Sequence, residues 1–286
     1  MHSSTLQTAD GLPLHLSHWP LDGGAPARGT VLIVHGLGEH AGRYAHVASH
    51  LNANAWNVVG YDHRGHGRSG GARGALAHAD SLLDDLARVI DAVKAAHPGP
   101  LVLLGHSLGG LIVGRFVAEG LAAQPAAWWR LVDALVMSSP ALDPGMNVAQ
   151  KALLAVLGPL APNLAVNNGL NPAWVSRDPA VVKAYVDDPL VHDRITPRLA
   201  RFIVDGGELV RQRAGAWTLP TALLYAGADR CVAPRGSDAF AAAAPRGVVH
   251  SKRYDGFSHE IFNEPEQREV LGELSRWLVP HGALSA

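Results

Sequence analysis

Residues 103–110 read LLGHSLGG, with a single serine, Ser107, set between Gly105 and the pair Gly109–Gly110. A buried strand gains nothing from three glycines. Glycine weakens strands and suits places where backbones crowd or φ turns positive. The preceding run, PLVLLG at 100–105, is short, apolar and rich in branched residues, which predicts a buried strand. The following run, LGGLIVGRFVAEG at 108–120, predicts a buried helix. G-x-S-x-G at a strand-to-helix turn lifts a serine hydroxyl above the sheet on a strained backbone, and the flanking glycines let helix and strand approach closely.

Working outward, the neighbouring segments repeat the strand–helix rhythm. TVLIVHG (30–36) and WNVVGYD (56–62) read as continuous apolar strands, with a helix in 43–54 between them. In DSLLDDLARVIDAVKAAHPG, Leu82, Leu83, Leu86, Val89, Ile90 and Val93 share one helical face, and His97-Pro98-Gly99 stops the helix. LVDALVMSSP, TALLYAG and GVVHSKRY supply later strands, and EPEQREVLGELSRWLVP a last amphipathic helix. At the start, two strand-like stretches flank Asp10-Gly11 as a hairpin. Alternating strands and helices predict a single α/β domain over 1–286 with a mostly parallel sheet. The segment 141–205 breaks the rhythm. It is rich in Pro, Asn and Asp, has apolar patches but no clear strand, and reads as a cap inserted over the carboxyl edge of the sheet.

The totals exclude several classes. The chain has 286 residues, 48% hydrophobic and 17% charged, with a formal net charge of −1, so it carries no basic excess for nucleic acid. One cysteine, Cys231, rules out an internal disulfide framework. The N-terminal stretch lacks the charged and apolar regions of a signal peptide, and the nearly apolar stretch 152–162 is too short to span a bilayer. A soluble, cytoplasmic protein is expected.

A serine hydroxyl needs a base within hydrogen-bond reach, and that base needs an orienting acid. On this layout the acid and then the histidine follow the serine in the chain. His250 lies within a strand and His281 beyond the last helix, whereas His259, in DGFSHE, sits on the loop after the last strand, where Ser107 emerges. His259 is therefore the expected base. Asp229, in LLYAGADRCVAP, follows the penultimate strand and is the expected acid; Asp143 is the alternative, with a turn role before Pro144-Gly145 as its other explanation. Backbone N–H groups of Leu108, after the serine, and Leu37, in VHGLGEH, would form the oxyanion hole. Asp62, His63 and His66 suggest a metal cluster at first sight, but a turn held by side-chain hydrogen bonds suits them better. His106, Cys231, Trp128 and Trp129 read as packed residues, and neither a metal nor a cofactor is required.

Five motifs in order, HGLGEHAGRY, YDHRGHGRSGG, GHSLGG, AGADRCV and SHEIFNEPE, together resemble the monoacylglycerol lipases, a group also called lysophospholipases, over roughly residues 10–278. The resemblance implies the α/β-hydrolase fold: a mostly parallel sheet of the eight-stranded type, helices on both faces and an inserted helical cap. It implies Ser107, Asp229 and His259 as the triad and Leu37 and Leu108 as oxyanion donors. It further implies that Glu39 and Arg43 form a polar pocket for the leaving alcohol, the alternative being an ion pair that braces their loop. Mammalian members carry a second histidine three residues after the catalytic one, where this chain has Phe262. The implied substrate is a small lipid ester, and the family's apolar cap touches membranes or micelles peripherally. KALLAVLGPLAPNLAV at 151–166 is the stretch suited to that. The expected activity is ester hydrolysis of monoacylglycerols without a cofactor. A general carboxylesterase or lysophospholipase is the nearest alternative, and a serine aminopeptidase a further one.

Overall fold

The computed structural model describes residues 1–21 and 26–282. Its centre is an eight-stranded sheet in the order β1-β2-β4-β3-β5-β6-β9-β10. The strands are β1 (His2–Gln7), β2 (Pro13–Trp19), β3 (Thr30–Val34), β4 (Asn57–Tyr61), β5 (Leu101–His106), β6 (Ala134–Ser138), β9 (Thr221–Ala226) and β10 (Val249–Tyr254). β2 pairs antiparallel with both β1 and β4, and every other pairing is parallel. The Asp10-Gly11 turn joins β1 to β2, and Gly11 has φ 82°.

The central strands are apolar throughout because both their faces are covered. Side chains alternate between the two. Leu32, Val34, Leu101 and Leu103 face a cluster built with α2 (Ser81–Ala96), α3 (Leu108–Glu119), α6 (Pro197–Arg213) and α7 (Arg235–Ala243). Val31, Ile33, Val102 and Leu104 face a second cluster with α1 (Ala45–Ala53) and α8 (Gln267–Leu278). The mostly parallel sheet with helices on both faces is therefore as expected.

Between β6 and β9 the chain leaves the sheet. It forms α4 (Val148–Leu160), a two-residue strand β7 (Val166–Asn167), a 3₁₀ turn at Pro172–Trp174, α5 (Pro179–Asp187), a second short strand β8 (Arg194–Ile195) and then α6. The starts are coded locally. Asn147 and Gln150 form a capping box on α4, while Asp178 and Thr196 cap α5 and α6 ahead of Pro179 and Pro197. β7 and β8 pair antiparallel, a ribbon that the sequence of 141–205 does not announce. Residue 205 falls inside α6, whose buried Leu199, Ile203 and Val210 seat it in the layer against α3. α4, in contrast, buries none of its residues. Among the described residues no helix is long and apolar enough to cross a membrane.

Candidate active site

Four loops at the carboxyl ends of parallel strands converge: those after β3, β5, β9 and β10. That edge is where open α/β sheets place their ligands. Ser107 terminates β5 and caps α3 with φ 54° and ψ −117°, a conformation that L-residues rarely adopt. Close packing holds it there. A Cβ on Gly109 would overlap the carbonyl oxygens of Val34 and His35, and one on Gly105 would overlap the Gly109 carbonyl. Ser107 N–H donates to Ser138 O (2.9 Å), and its carbonyl accepts from Leu111 and Ala141 (both 3.0 Å). Leu108 opens α3, so its N–H is among those a helix leaves free at its start. Leu37, on the loop after β3, lines the same cavities as Ser107.

His259 also lines the cavity at Ser107. Its Nδ1–H donates to Asp229 Oδ2 at 2.6 Å, both side chains being almost wholly buried. Asp229 Oδ1 accepts from the N–H groups of Cys231 (2.8 Å) and Val232 (3.0 Å), which orients the carboxylate. Burial works against a charged His259. The Asp229 charge and hydrogen bond, seconded by Glu260 and Glu39, outweigh it and hold the pKa above the ordinary histidine value. His106 lies beside it, ring centroids 4.7 Å apart. Burial, with His259 as neighbour, pushes His106 down to about 3, so it stays neutral. Asp143 does something else: it accepts from Gly145 N–H (2.8 Å) and pairs with Arg235 (2.7 Å). His250 pairs with Glu273, and His281 stacks on Trp277.

Glu39 lines the cavity, but its oxygens are already engaged. Oε1 accepts from Gly36 N–H and Tyr44 Oη (both 2.6 Å), and Oε2 from Arg43 Nη1 (2.6 Å). Arg43 is clamped between Glu39 and Glu260, the latter bidentate at 2.7 Å. Burial opposes the Glu39 charge, yet Arg43 and these donors keep its pKa below the usual value. Phe262 is buried in the core under α1, where His46 Nε2–H donates to its carbonyl. Asp62 accepts from Ala41 N–H (2.9 Å) and Arg68 N–H (2.8 Å), the side-chain-held turn expected there. Asp229, Cys231 and His259 form a three-donor group with ligand-type atoms within 4.8 Å of one another. Asp229 and His259 are already bonded to each other, and burial, with Asp229 nearby, pushes the Cys231 thiol up.

Several site residues lie in the quoted motifs without their roles being legible there. Glu260, next to His259 in SHEIFNEPE, is one. Glu264 is another: its wholly buried carboxylate accepts from Ser176 Oγ (2.9 Å), Arg177 N–H (2.7 Å) and Ser258 N–H (3.1 Å). With Glu260 N–H donating to Val175 O (2.8 Å), it stitches the insertion to the His259 loop. His192 N–H donates to Gly38 O (2.8 Å) and fixes the insertion to the Leu37 loop as well.

Two chambers meet at Ser107. One, about 300 Å³, is lined by Glu39, Tyr185, His192, Asp193 and Glu260. The other, about 550 Å³, runs between α4 and α6 past Leu153, Leu154, Leu157, Leu170 and Ile203. The geometry is that of a nucleophile, a base and an acid where two largely apolar chambers meet, of which the first alone is lined by Glu39, Asp193 and Glu260.

A family model described as Hydrolase_4, serine aminopeptidase S33, matches residues 25–266. The chain is 40% identical over 258 residues to a monoacylglycerol lipase of Mycolicibacterium smegmatis, covering 89% of each. It is 30% identical over 278 residues to the monoglyceride lipase of Rattus norvegicus, covering 96% of this chain and 89% of the relative. The crystal structure of a monoacylglycerol lipase from Paleococcus ferrophilus superposes with a TM-score of 0.82 at 35% identity, covering 94% of this chain and 99% of the other.

Proposed function

The chain belongs to the monoacylglycerol lipase family of the α/β hydrolases, and from that premise we propose that it hydrolyses monoacylglycerols to fatty acid and glycerol through an acyl-enzyme. In this proposal Ser107 attacks the ester carbonyl while His259 Nε2 takes its proton. Asp229 holds the ring in the tautomer with Nδ1 protonated and stabilises the imidazolium. The N–H groups of Leu37 and Leu108 receive the oxyanion; losing one such donor typically costs about 10²–10³ in rate. The alcohol leaves with the proton from His259, and water repeats the sequence on the acyl-enzyme.

The observation that carries this reading is the strained Ser107 at the junction of two chambers, one leucine-lined and one with acidic residues in its wall, beside the His259–Asp229 pair. The apolar chamber between α4 and α6 suits a single acyl chain. The smaller chamber, with Glu39, Asp193 and Glu260 in its wall, suits the leaving alcohol, with Glu39 and Arg43 as its frame. Arg43 is held between two carboxylates, so it keeps the Gly36–Glu39 loop in shape for the alcohol. Residues 141–196 act as the cap. The exposed apolar side chains Val148, Leu153, Val156 and Leu160 make peripheral contact with a lipid surface, without anchoring. A cytoplasmic location fits this role.

The test is a chain-length series of monoacylglycerols with p-nitrophenyl esters of the same acids, comparing wild type with Ser107→Ala. Cleavage of long monoacylglycerols that vanishes in the variant supports both substrate and nucleophile. Reaction with short p-nitrophenyl esters alone leaves a general carboxylesterase. Phe262 favours that second reading, because its buried ring adds no polar atom to the alcohol chamber.

A further inference from the structure

The alcohol-side chamber is charged on one side only. Three carboxylates line it, those of Glu39, Glu260 and Asp193, and among the described residues no lysine or arginine does. The nearest balancing cation, Arg43, gives both Nη1 hydrogens and one Nη2 hydrogen to Glu39 and Glu260, and that buried trio carries one net negative charge. Asp193, half exposed, adds a weaker, solvent-screened negative field: its Oδ1 meets the equally exposed Arg194 at 3.2 Å and its Oδ2 accepts from Asn167. Of the histidines on the wall, burial, aided by Arg73, pushes His192 down to about 4 and His106 is likewise neutral, while any charge on His259 is matched by its partner Asp229. The cavity of about 300 Å³ is roughly ten times the ~30 Å³ share of a liquid water. Size alone therefore leaves room for groups larger than glycerol.

We propose that Asp193 and the Glu39–Arg43–Glu260 trio make this chamber a charge filter on the leaving alcohol, one that admits neutral and cationic alcohols and rejects those bearing phosphate. The inference rests on the ester-hydrolase reading above and deepens it. A phosphate entering here would lose its hydration, meet like charge and find no free guanidinium or ammonium. A quaternary ammonium of similar bulk would meet opposite charge. The filter separates acylglycerols and acylcholines, as substrates, from lysophospholipids whose leaving alcohol carries a phosphate.

The experiment uses four water-soluble esters of one acid: 1-hexanoylglycerol, 1-hexanoylglycerol 3-phosphate, hexanoylcholine and its uncharged isostere 3,3-dimethylbutyl hexanoate. Two ratios of kcat/KM are read, each within one preparation, so partial misfolding cancels. The glycerol ester should exceed its phosphate on the order of tenfold, and the choline ester should exceed its isostere by several-fold. Both ratios should shrink with added salt. Asp193→Asn should move both toward one, and Asp193→Lys further, toward inversion. A phosphate ester cleaved as well as the glycerol ester, an isostere preferred over the choline ester, or ratios indifferent to both substitutions would each overturn the filter. If none of the four esters is cleaved, the ester-hydrolase reading itself falls, and the filter with it.

Discussion

A single residue carries the strain at this site, and in the proposed mechanism a second, His259, carries the proton while Asp229 orients it. Ser107 at φ 54° is held by Gly105, Gly109 and its bond to Ser138. Those glycines were legible as crowded positions because glycine answers a local steric question. The expected base and acid, His259 and Asp229, come together at 2.6 Å, whereas Asp143 is committed to Arg235 and its own turn. Chemistry by His259 requires its neutral form. Its pKa is held above the ordinary ~6.5. Activity should therefore rise with pH, with a midpoint above that value, when kcat/KM is followed from pH 5.5 to 9 on a slow ester. Asp229→Asn should remove the charge that raises the midpoint, shifting it to lower pH, and should lower kcat by about 10⁴ by the general behaviour of such triads. A midpoint unmoved by that substitution would show that another group limits the profile.

Elements with a strong period were legible, and those without one were not. α2 and α8 announce themselves through apolar residues at helical spacing, and β3, β5 and β9 through continuous apolar runs. α7 carries only Phe240 as a large buried side chain within an alanine-rich run, so the sequence offers little pattern there. The β7–β8 ribbon is two residues a side and exists only because its halves, 28 positions apart, meet. α4 reads as apolar but hides a difference that only packing reveals: none of its residues is buried, with Val148 85% and Leu160 78% exposed. Burying one leucine fully is worth about 1.5–3 kcal/mol. Replacing Val148 and Leu160, neither of which lines the acyl chamber, by Glu should therefore lower partitioning onto neutral phosphatidylcholine vesicles by at least about tenfold, while activity on a soluble short-chain ester persists. Equal co-sedimentation of the variant and wild type would show that α4 does not meet the lipid.

At the scale of the whole molecule, what escaped sequence reasoning is long-range polar pairing. Arg43 meets Glu260 across 217 positions, and Arg177 meets Glu264 across 87. No local period signals either, because each partner lies in a different loop. The same holds for a histidine cluster, tilted and edge-on rather than stacked, behind the Leu37 loop. His35, His63, His66 and His192 lie with successive ring centroids 4.0, 5.8 and 4.6 Å apart. His63 N–H donates to His35 Nε2, and His63 Nε2–H to His35 O, so this network fixes neutral tautomers. Burial first, then neighbouring histidines, pushes His35, His63 and His66 well below the usual value; His192 falls to about 4. Unfolding releases these groups to bind protons near pH 6.5. The unfolded chain thus binds more protons than the folded one below that pH, and stability is fully present above it and lost as pH falls. His259, with its raised pKa, works in the opposite direction. Each depressed histidine should cost about 1 kcal/mol between pH 6.5 and 5.5, a large share of the ~5–15 kcal/mol that holds a fold together. Thermal melts at pH 7.5, 6.5 and 5.5 should show a midpoint that declines increasingly steeply below 6.5. His66→Gln removes one such group while keeping a donor for the Arg64 carbonyl, which His66 Nδ1–H now serves at 3.0 Å. It should flatten the decline by up to about 1.4 kcal/mol per pH unit. A wild-type melting temperature that stays level from pH 7.5 to 5.5 would mean the cluster takes up protons without opening, and that its neutrality is no part of what keeps the Leu37 loop in place.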